Sequence, residues 1–255
     1  GTGTNTYVLH GQGACVVIDP GPALPAHLDA ILAVCGGIPV AAILLSHPHL
    51  DHSALCPALS SATRAPVLAF GRASEGRSPL MQRLAAQGLA GGGEGADTGF
   101  APDRALVDGE WLALAGLRIE VLHTPGHMGG HLCFALGDIG FTGDHVMGWA
   151  STLVSPPDGD MRAYMASLAK LAARRWAQFL PGHGAAIAEP AARLAQLTQH
   201  RLDRETAILA QLRYGPMTPG ELAQRIYTDT PPALMGAAAR NILAHLIDLH
   251  ERNLV

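Results

Sequence analysis

The chain has 255 residues, 48% of them hydrophobic, and a formal net charge of −4. That is enough apolar material for one substantial core with a small second module, and the slight acidic excess excludes a scaffold built to grip nucleic acid non-specifically. No apolar run approaches the roughly 20 residues that a bilayer-spanning helix needs. Cys15, Cys35, Cys56 and Cys133 are scattered among apolar or small neighbours without a C-x-x-C pair, which favours free thiols and a reducing, cytoplasmic setting.

In chain order, Thr6–His10 and Ala14–Ile18 read as strands around a turn at Gly11-Gln12-Gly13, and the second strand stops at Asp19-Pro20-Gly21-Pro22. Leu24, Leu28, Ile31 and Leu32 mark a helix. Val40–Leu45 is a continuous apolar run of the kind expected of a strand covered on both faces, and a helical stretch begins at Ser53-Ala54-Leu55. Val67–Phe70 predicts a short strand and Pro79–Gln87 a helix. Gly88–Gly99, with Gly91-Gly92-Gly93-Glu94-Gly95 at its centre, is too glycine-rich for regular structure and reads as a lid or as disorder.

Trp111–Leu114 and Leu117–Leu122 predict a hairpin about Ala115-Gly116; His131–Leu136, Ile139–Thr142 and Gln178–Leu180 are further short strands. Met161, Tyr164, Met165, Leu168 and Leu171 place an amphipathic helix over Met161–Arg175. From Pro190 the texture turns helical. Ala191–Leu212 is one long helix, Thr218-Pro219-Gly220-Glu221 is a capping box opening Leu222–Ile226, and Pro231-Pro232 leads into a last helix ending near Glu251. The chain thus divides into an α/β body, residues 1–189, and a helical appendage, residues 190–255.

Thirteen histidines are the informative part of the composition. Four turns, each following an apolar strand, carry metal-ligating residue types: His47-Pro48-His49-Leu50-Asp51-His52, Pro125-Gly126-His127, Gly143-Asp144 and Pro181-Gly182-His183. Pro-Gly-His and Gly-Asp are common turns by themselves. The His-x-His-x-Asp-His cluster is far denser than a structural histidine pattern, and it makes the other three turns candidates. The donors are imidazoles and carboxylates with no thiolate, a set that suits Zn²⁺, with Mn²⁺ or Fe²⁺ as substitutes.

Residues i and i+2 of an extended segment share a side, so His47 and His49 can meet one ion while Asp51 and His52 face a second. His127 then completes the first position, His183 the second, and Asp144 bridges them. Two ions per chain, each with an open position, would generate a bridging hydroxide as nucleophile and polarise a substrate oxygen. On this reading Asp51 and Asp144 carry catalysis as well as metal. His131 and His145 are weaker candidates, for orienting a ligand or protonating a leaving group.

Ser46–His52, Thr124–His127, Thr142-Gly143-Asp144 and Pro181–Gly184 resemble the ligand motifs of the metallo-β-lactamase-fold hydrolases, and Asp19 in Val17–Gly21 resembles the first acidic motif, a structural residue there. The resemblance implies an αβ/βα sandwich with a binuclear zinc site at one edge. Gly3–Tyr7, Gly143-Asp144-His145, Asp160–Leu168 and the tail around Thr218, Glu221, Leu222 and Tyr227 are similar to the lactamase-β-2-like group. That group has a small winged-helix-like C-terminal domain, its animal member is an endoribonuclease acting on single-stranded RNA, and Asn5 and Tyr7 line the site by the same resemblance. Its members usually begin with another strand before the segment matching Gly3–Tyr7; with Gly1 in place of Met, this implies a chain that is trimmed or a fragment. Asp144 stands where the best-known β-lactamases have Cys, which argues against lactamase activity.

The leading expectation is therefore a zinc-dependent hydrolase of an ester, thioester or phosphodiester. Single-strand-specific ribonuclease activity is the alternative, and a non-catalytic, metal-stabilised binding module is an alternative of another class. The tail has Arg193, Arg201, Arg204, Arg213, Arg225, Arg240 and Arg252 against Asp203, Glu205, Glu221, Asp229, Asp248 and Glu251, a near balance that offers RNA no basic stripe. A small-molecule ester or thioester and single-stranded RNA are the two substrate classes, with no membrane partner.

Overall fold

A computed structural model describes residues 3–92 and 95–255. One five-stranded sheet has the spatial order β1 (Tyr7–His10), β2 (Cys15–Ile18), β3 (Val40–Leu44), β4 (Val67–Ala69), β5 (Arg104–Ala105). Only its β1–β2 pair is antiparallel. The other sheet, also five-stranded, is built from β6 (Trp111–Leu114), β7 (Leu117–His123), β8 (Leu132–Leu136), β9 (Ile139–Gly143) and β10 (Gln178–Pro181), in the order β10-β9-β8-β7-β6. There the β10–β9 pair is parallel and the rest are antiparallel.

Alternation along each strand sorts the side chains into layers. Val16, Ile18, Ala42 and Leu44 of the first sheet meet Ile119, Val121, Phe134 and Phe141 of the second in the central core. Their neighbours Cys15, Val17 and Ile43 face the other way, onto Ile31 and Cys35 of α1 (Pro25–Cys35) and Leu59 of α3 (Cys56–Thr63). On the far side, Leu122, Cys133, Ala135 and Phe179 pack against Tyr164, Leu168 and Leu171 of α5 (Met161–Ala172) and Leu194 and Leu197 of α6 (Pro190–Leu212). The result is the expected αβ/βα sandwich. The apolar run of β3 is buried because both its faces are covered.

The tail after β10 carries α6, α7 (Pro219–Ile226) and α8 (Met235–Glu251), with the second half of α6 joined to α7 and α8 by a fourth core containing Ile208, Leu222, Ala238, Ile242 and Leu249. The capping box at Thr218 and Glu221 forms in full. Among the described residues no strand follows β10. None of the described helices is long and apolar enough to cross a membrane.

Three local expectations are adjusted, and one strand is added. The helix expected from Ser53 is preceded by a single turn, α2 (Leu50–Ser53), and α3 begins separately with Pro57 in its first turn, where a missing N–H costs nothing. α4 (Pro79–Ala86) is capped by Ser78 and ends one residue before Gln87. α5 stops at Ala172, short of Arg175, because the Trp176 indole N–H takes the Leu171 carbonyl at 2.7 Å. β5 is two exposed residues without an apolar pattern, so nothing in its sequence announces it. Gly93 and Glu94 of the glycine-rich stretch lie outside the described residues. Beyond them, Gly95 O accepts from Leu50 N, and Asp97 N donates to Pro48 O, tying this segment to the histidine-rich loop.

The start of α5 seats the turn that carries His127. Gly126 has φ +150°, and a Cβ there would lie 2.4 Å from Tyr164 Cα, which is backbone that cannot yield. Gly126→Ala is expected to destabilise the protein by about 1–3 kcal/mol through overpacking, read as a lower denaturant midpoint.

Candidate metal centre

Strand ends deliver the site. β3 runs into His47–His52, β7 into Pro125–His127, β9 into Asp144 and β10 into His183. Since β8 is antiparallel to both β7 and β9, and β10 is parallel to β9, β7, β9 and β10 point the same way and open on one edge of the sandwich. His49 is extended and caps α2, and that change of backbone turns Asp51 and His52 toward a different position from His47 and His49.

The side chains converge. His49 Nδ1 is 3.1 Å from both His47 Nε2 and His127 Nε2. His52 Nε2 is 3.3 Å from His183 Nε2, 3.4 Å from Asp144 Oδ1 and 3.7 Å from Asp51 Oδ2. His183 Nε2 is 3.2 Å from Asp51 Oδ2 and 3.4 Å from Asp144 Oδ2, an oxygen that also lies 3.9 Å from His127 Nε2. All the residues singled out as ligands therefore meet, with Asp144 between the two halves. Three overlapping groups have the spacing to hold an ion: His47, His49 and His127; His47, His52 and Asp144; Asp51, His52 and His183.

Four of the rings are oriented from behind. His47 Nδ1 donates to Ser46 Oγ, His52 Nδ1 to Asp19, His127 Nδ1 to the Leu153 carbonyl and His183 Nδ1 to the Gly3 carbonyl, at 2.7–3.0 Å. A neutral ring that donates through Nδ1 keeps the Nε2 lone pair, so all four Nε2 atoms face one shared space with the capacity to ligate. The Asp19 carboxylate, buried at the end of β2 with φ +50°, also accepts from Ser46 N and Ser46 Oγ, both at 2.7 Å.

Deprotonated, these rings would set lone pairs against one another, and Asp144 Oδ1 is buried with no hydrogen-bond partner. A cation relieves both, so the donor set fits a metal. The local potential agrees. Burial pushes the His49 pKa down to about 3, with His127 adding to the effect. Hydrogen bonds to Asp144 and Asp51 lift His183 to about 10. Burial opposes charge on His52, yet Asp144 and Asp19 raise it well above the usual imidazole value. Burial likewise works against the charged Asp144, but His52 and His183 hold it well below the carboxylate range. Asp144, Asp19 and Asp51, which favour protons on His52 and His183 in metal-free protein, would equally favour a divalent ion in place of those protons. Gly182 is needed beside it, since a Cβ would stand 2.6 Å from Asp144 Oδ1.

The remaining candidates are placed as supports. His131 accepts from Asp144 N at 3.2 Å, with its Nδ1 3.0 Å from Thr124 Oγ1, so it anchors the Asp144 backbone. His145 is fully buried and neither ring nitrogen has a partner, which leaves it no route to a substrate. Asn5 and Tyr7 brace the His183 turn through the carbonyls of Pro181 and Gly184. The Leu153 and Gly3 carbonyls are functional groups that sequence reading misses, because a backbone acceptor has no residue signature. A small cleft lined by His49, His127, Leu153, Ser155 and Asp158 opens beside the cluster.

Comparison with known proteins places these features in a family. Residues 1–183 match the metallo-beta-lactamase superfamily and residues 218–255 the beta-lactamase associated winged helix domain. The chain is 29% identical to an atrochrysone carboxyl ACP thioesterase of Aspergillus chevalieri, over 90% of this chain and 69% of that protein. It is 28% identical to the beta-lactamase-like protein 2 homolog of Drosophila melanogaster, over 98% of this chain and 82% of the relative. The crystal structure of a metallo-beta-lactamase family protein from Thermus thermophilus superposes with a TM-score of 0.76 at 28% identity, covering 98% of this chain and 89% of the other.

Asp19 meets three donors, and an amide in its place offers a single acceptor oxygen. Asp19→Asn is expected to cost about 1.5–3 kcal/mol of stability in metal-free protein, as a charge-assisted network is lost. Zinc affinity should fall roughly 10–100-fold as His52 loses its orienting partner. Chemical denaturation and chelator competition measure the two effects.

Proposed function

The chain belongs to the metallo-beta-lactamase superfamily, and from that premise we propose a zinc-dependent hydrolase with two ions per chain, acting on small-molecule thioesters or esters. The observation that carries it is Asp144, buried between two groups of imidazoles whose ring nitrogens face inward. His47, His49 and His127 would hold one ion and Asp51, His52 and His183 the other, with Asp144 available to both; the donors would also accommodate Mn²⁺ or Fe²⁺. When bound, the ions supply Lewis acidity, lowering the pKa of the attacking water and polarising the scissile carbonyl.

The chain's own groups do the rest. Asp144 keeps its carboxylate ionised and fixed. Asp51, its side chain 50% exposed, is the carboxylate that solvent reaches, and it receives the proton released by the attacking water. His131 is committed to the Asp144 backbone and His145 is sealed, so neither can protonate a departing group. A thiolate, whose parent thiol has a pKa of about 8.5, leaves unprotonated far more readily than an alkoxide or amine. That chemistry, with a thioesterase among the relatives, favours the thioester. We divide the chain into a catalytic body, residues 1–189, and a winged-helix-like tail, residues 190–255. All four cysteines are free and buried, which fits a reducing cytoplasm.

A panel of acyl thioesters, oxygen esters and single-stranded RNA, offered to zinc-loaded protein with Asp144→Ala as the blank, tests this. Thioesters should turn over fastest, and kcat/KM should fall roughly 100-fold or more in the variant. RNA cleavage that disappears in the variant, without thioester turnover, would replace the substrate assignment by ribonuclease. Turnover unchanged in Asp144→Ala would overturn the site.

A further inference from the structure

Met147–Ser155, between β9 and α5, contains no helix or strand, so its buried backbone groups need partners from elsewhere. The helices of the tail provide them. Arg193 of α6 donates to the Met147 and Ala150 carbonyls, each at 2.7 Å. Arg201 of α6 donates through Nη2 to Thr152 O, and Val154 N donates to Asn241 Oδ1 of α8 at 3.0 Å. Asn241 Oδ1 also accepts from Arg201 Nη1 at 3.3 Å, which joins the two helices over the segment. Arg240 of α8 reaches Ser155 Oγ at 2.8 Å.

On its inner side the same segment holds a ligand. His127 Nδ1 donates to Leu153 O at 2.7 Å, with Thr152 Oγ1 3.1 Å from the same nitrogen. Leu153 is flanked by the two residues whose backbone Arg201 and Asn241 grip. Arg201 is only 1% exposed, makes no ion pair among the described residues, and has its guanidinium 5.1 Å from the Tyr164 ring centroid. Burying a guanidinium without a carboxylate carries a desolvation cost that a packing position does not require. A planar, multi-donor group fits a position that must hold two acceptors at fixed angles; an ammonium does not.

We propose that Arg201 and Asn241 are positioning residues for His127: by fixing Thr152–Val154 they hold the Leu153 carbonyl on His127 Nδ1 and aim Nε2 at His49. The tail thereby sets the ion affinity of the His47–His49–His127 position without touching that of the Asp51–His52–His183 position. This rests on the two-ion reading above.

The test compares full-length Asn241→Leu, Asn241→Asp, Arg201→Met and Arg201→Lys with the parent. Stepwise Zn²⁺ affinities come from chelator competition, and exchange of the His127 Nδ1 proton is followed by NMR in metal-free protein. Asn241→Leu and Arg201→Met should weaken one of the two Zn²⁺ steps about 10–100-fold and leave the other unchanged, with Arg201→Lys intermediate. Asn241→Asp keeps the acceptor and should retain the parental affinity. In metal-free protein the His127 Nδ1 proton should exchange faster in Asn241→Leu than in the parent. Equal weakening of both steps, no change in either, or an Asn241→Asp variant as weak as Asn241→Leu would overturn the proposal, as would parental exchange at His127. A parent that binds no Zn²⁺ would instead remove the two-ion reading, and the exchange measurement would still decide the positioning role.

Discussion

The whole site depends on one electrostatic constraint. His47, His52, His127 and His183 each spend their Nδ1 proton on an acceptor behind the ring, which turns four Nε2 atoms into a common space around a buried carboxylate. Such an arrangement is poor packing for neutral imidazoles and good packing for cations. The acceptors come from four separate places: Ser46, the end of β2, the segment before α5, and the residue Gly3 near the start of the described chain. Strand direction, turn glycines and the tail helices all serve to keep these acceptors where they are.

The division between the two sheets explains how a set of separate turns becomes a rigid site. The central core locks β3 against β7, β8 and β9, so the ends of these strands, from which the ligands project, cannot shift relative to one another. Close backbone approach finishes the construction: Gly126 lies on α5 and Gly182 lies on Asp144, and neither leaves room for a methyl group. The ligand loop itself is held by Asp19 on one side and by the Gly95–Asp97 segment on the other.

Much of this was legible in the residues. Runs such as Ala41–Leu45 and Ile119–Leu122 mark strands because both faces are buried, and the ligand turns stand out because they follow those strands and carry imidazoles and carboxylates. The two-layer sandwich followed from a resemblance carried by the same turns, and the helical tail from its own apolar spacing and capping box. The tail's winged-helix-like character came from a second resemblance that includes Gly3–Tyr7, Asp160–Leu168 and Thr218–Tyr227; the family matches bear out the sandwich and the winged helix. Other parts left no trace. Gly3 O and Leu153 O act through backbone that any residue shares. His131 and His145 look alike in sequence, and only the neighbouring Asp144 N–H distinguishes an anchor from a sealed core ring. Arg201 reads as one of several helical arginines until its burial is known, and β5 has no hydrophobic pattern to read.

Diffraction from zinc-loaded crystals, measured on both sides of the zinc absorption edge, decides whether two ions occupy this edge of the sandwich. Two anomalous peaks per chain are expected, one among His47, His49 and His127, the other among Asp51, His52 and His183, with the Asp144 carboxylate between them. A single peak, or zinc bound away from these residues, would contradict the two-ion site.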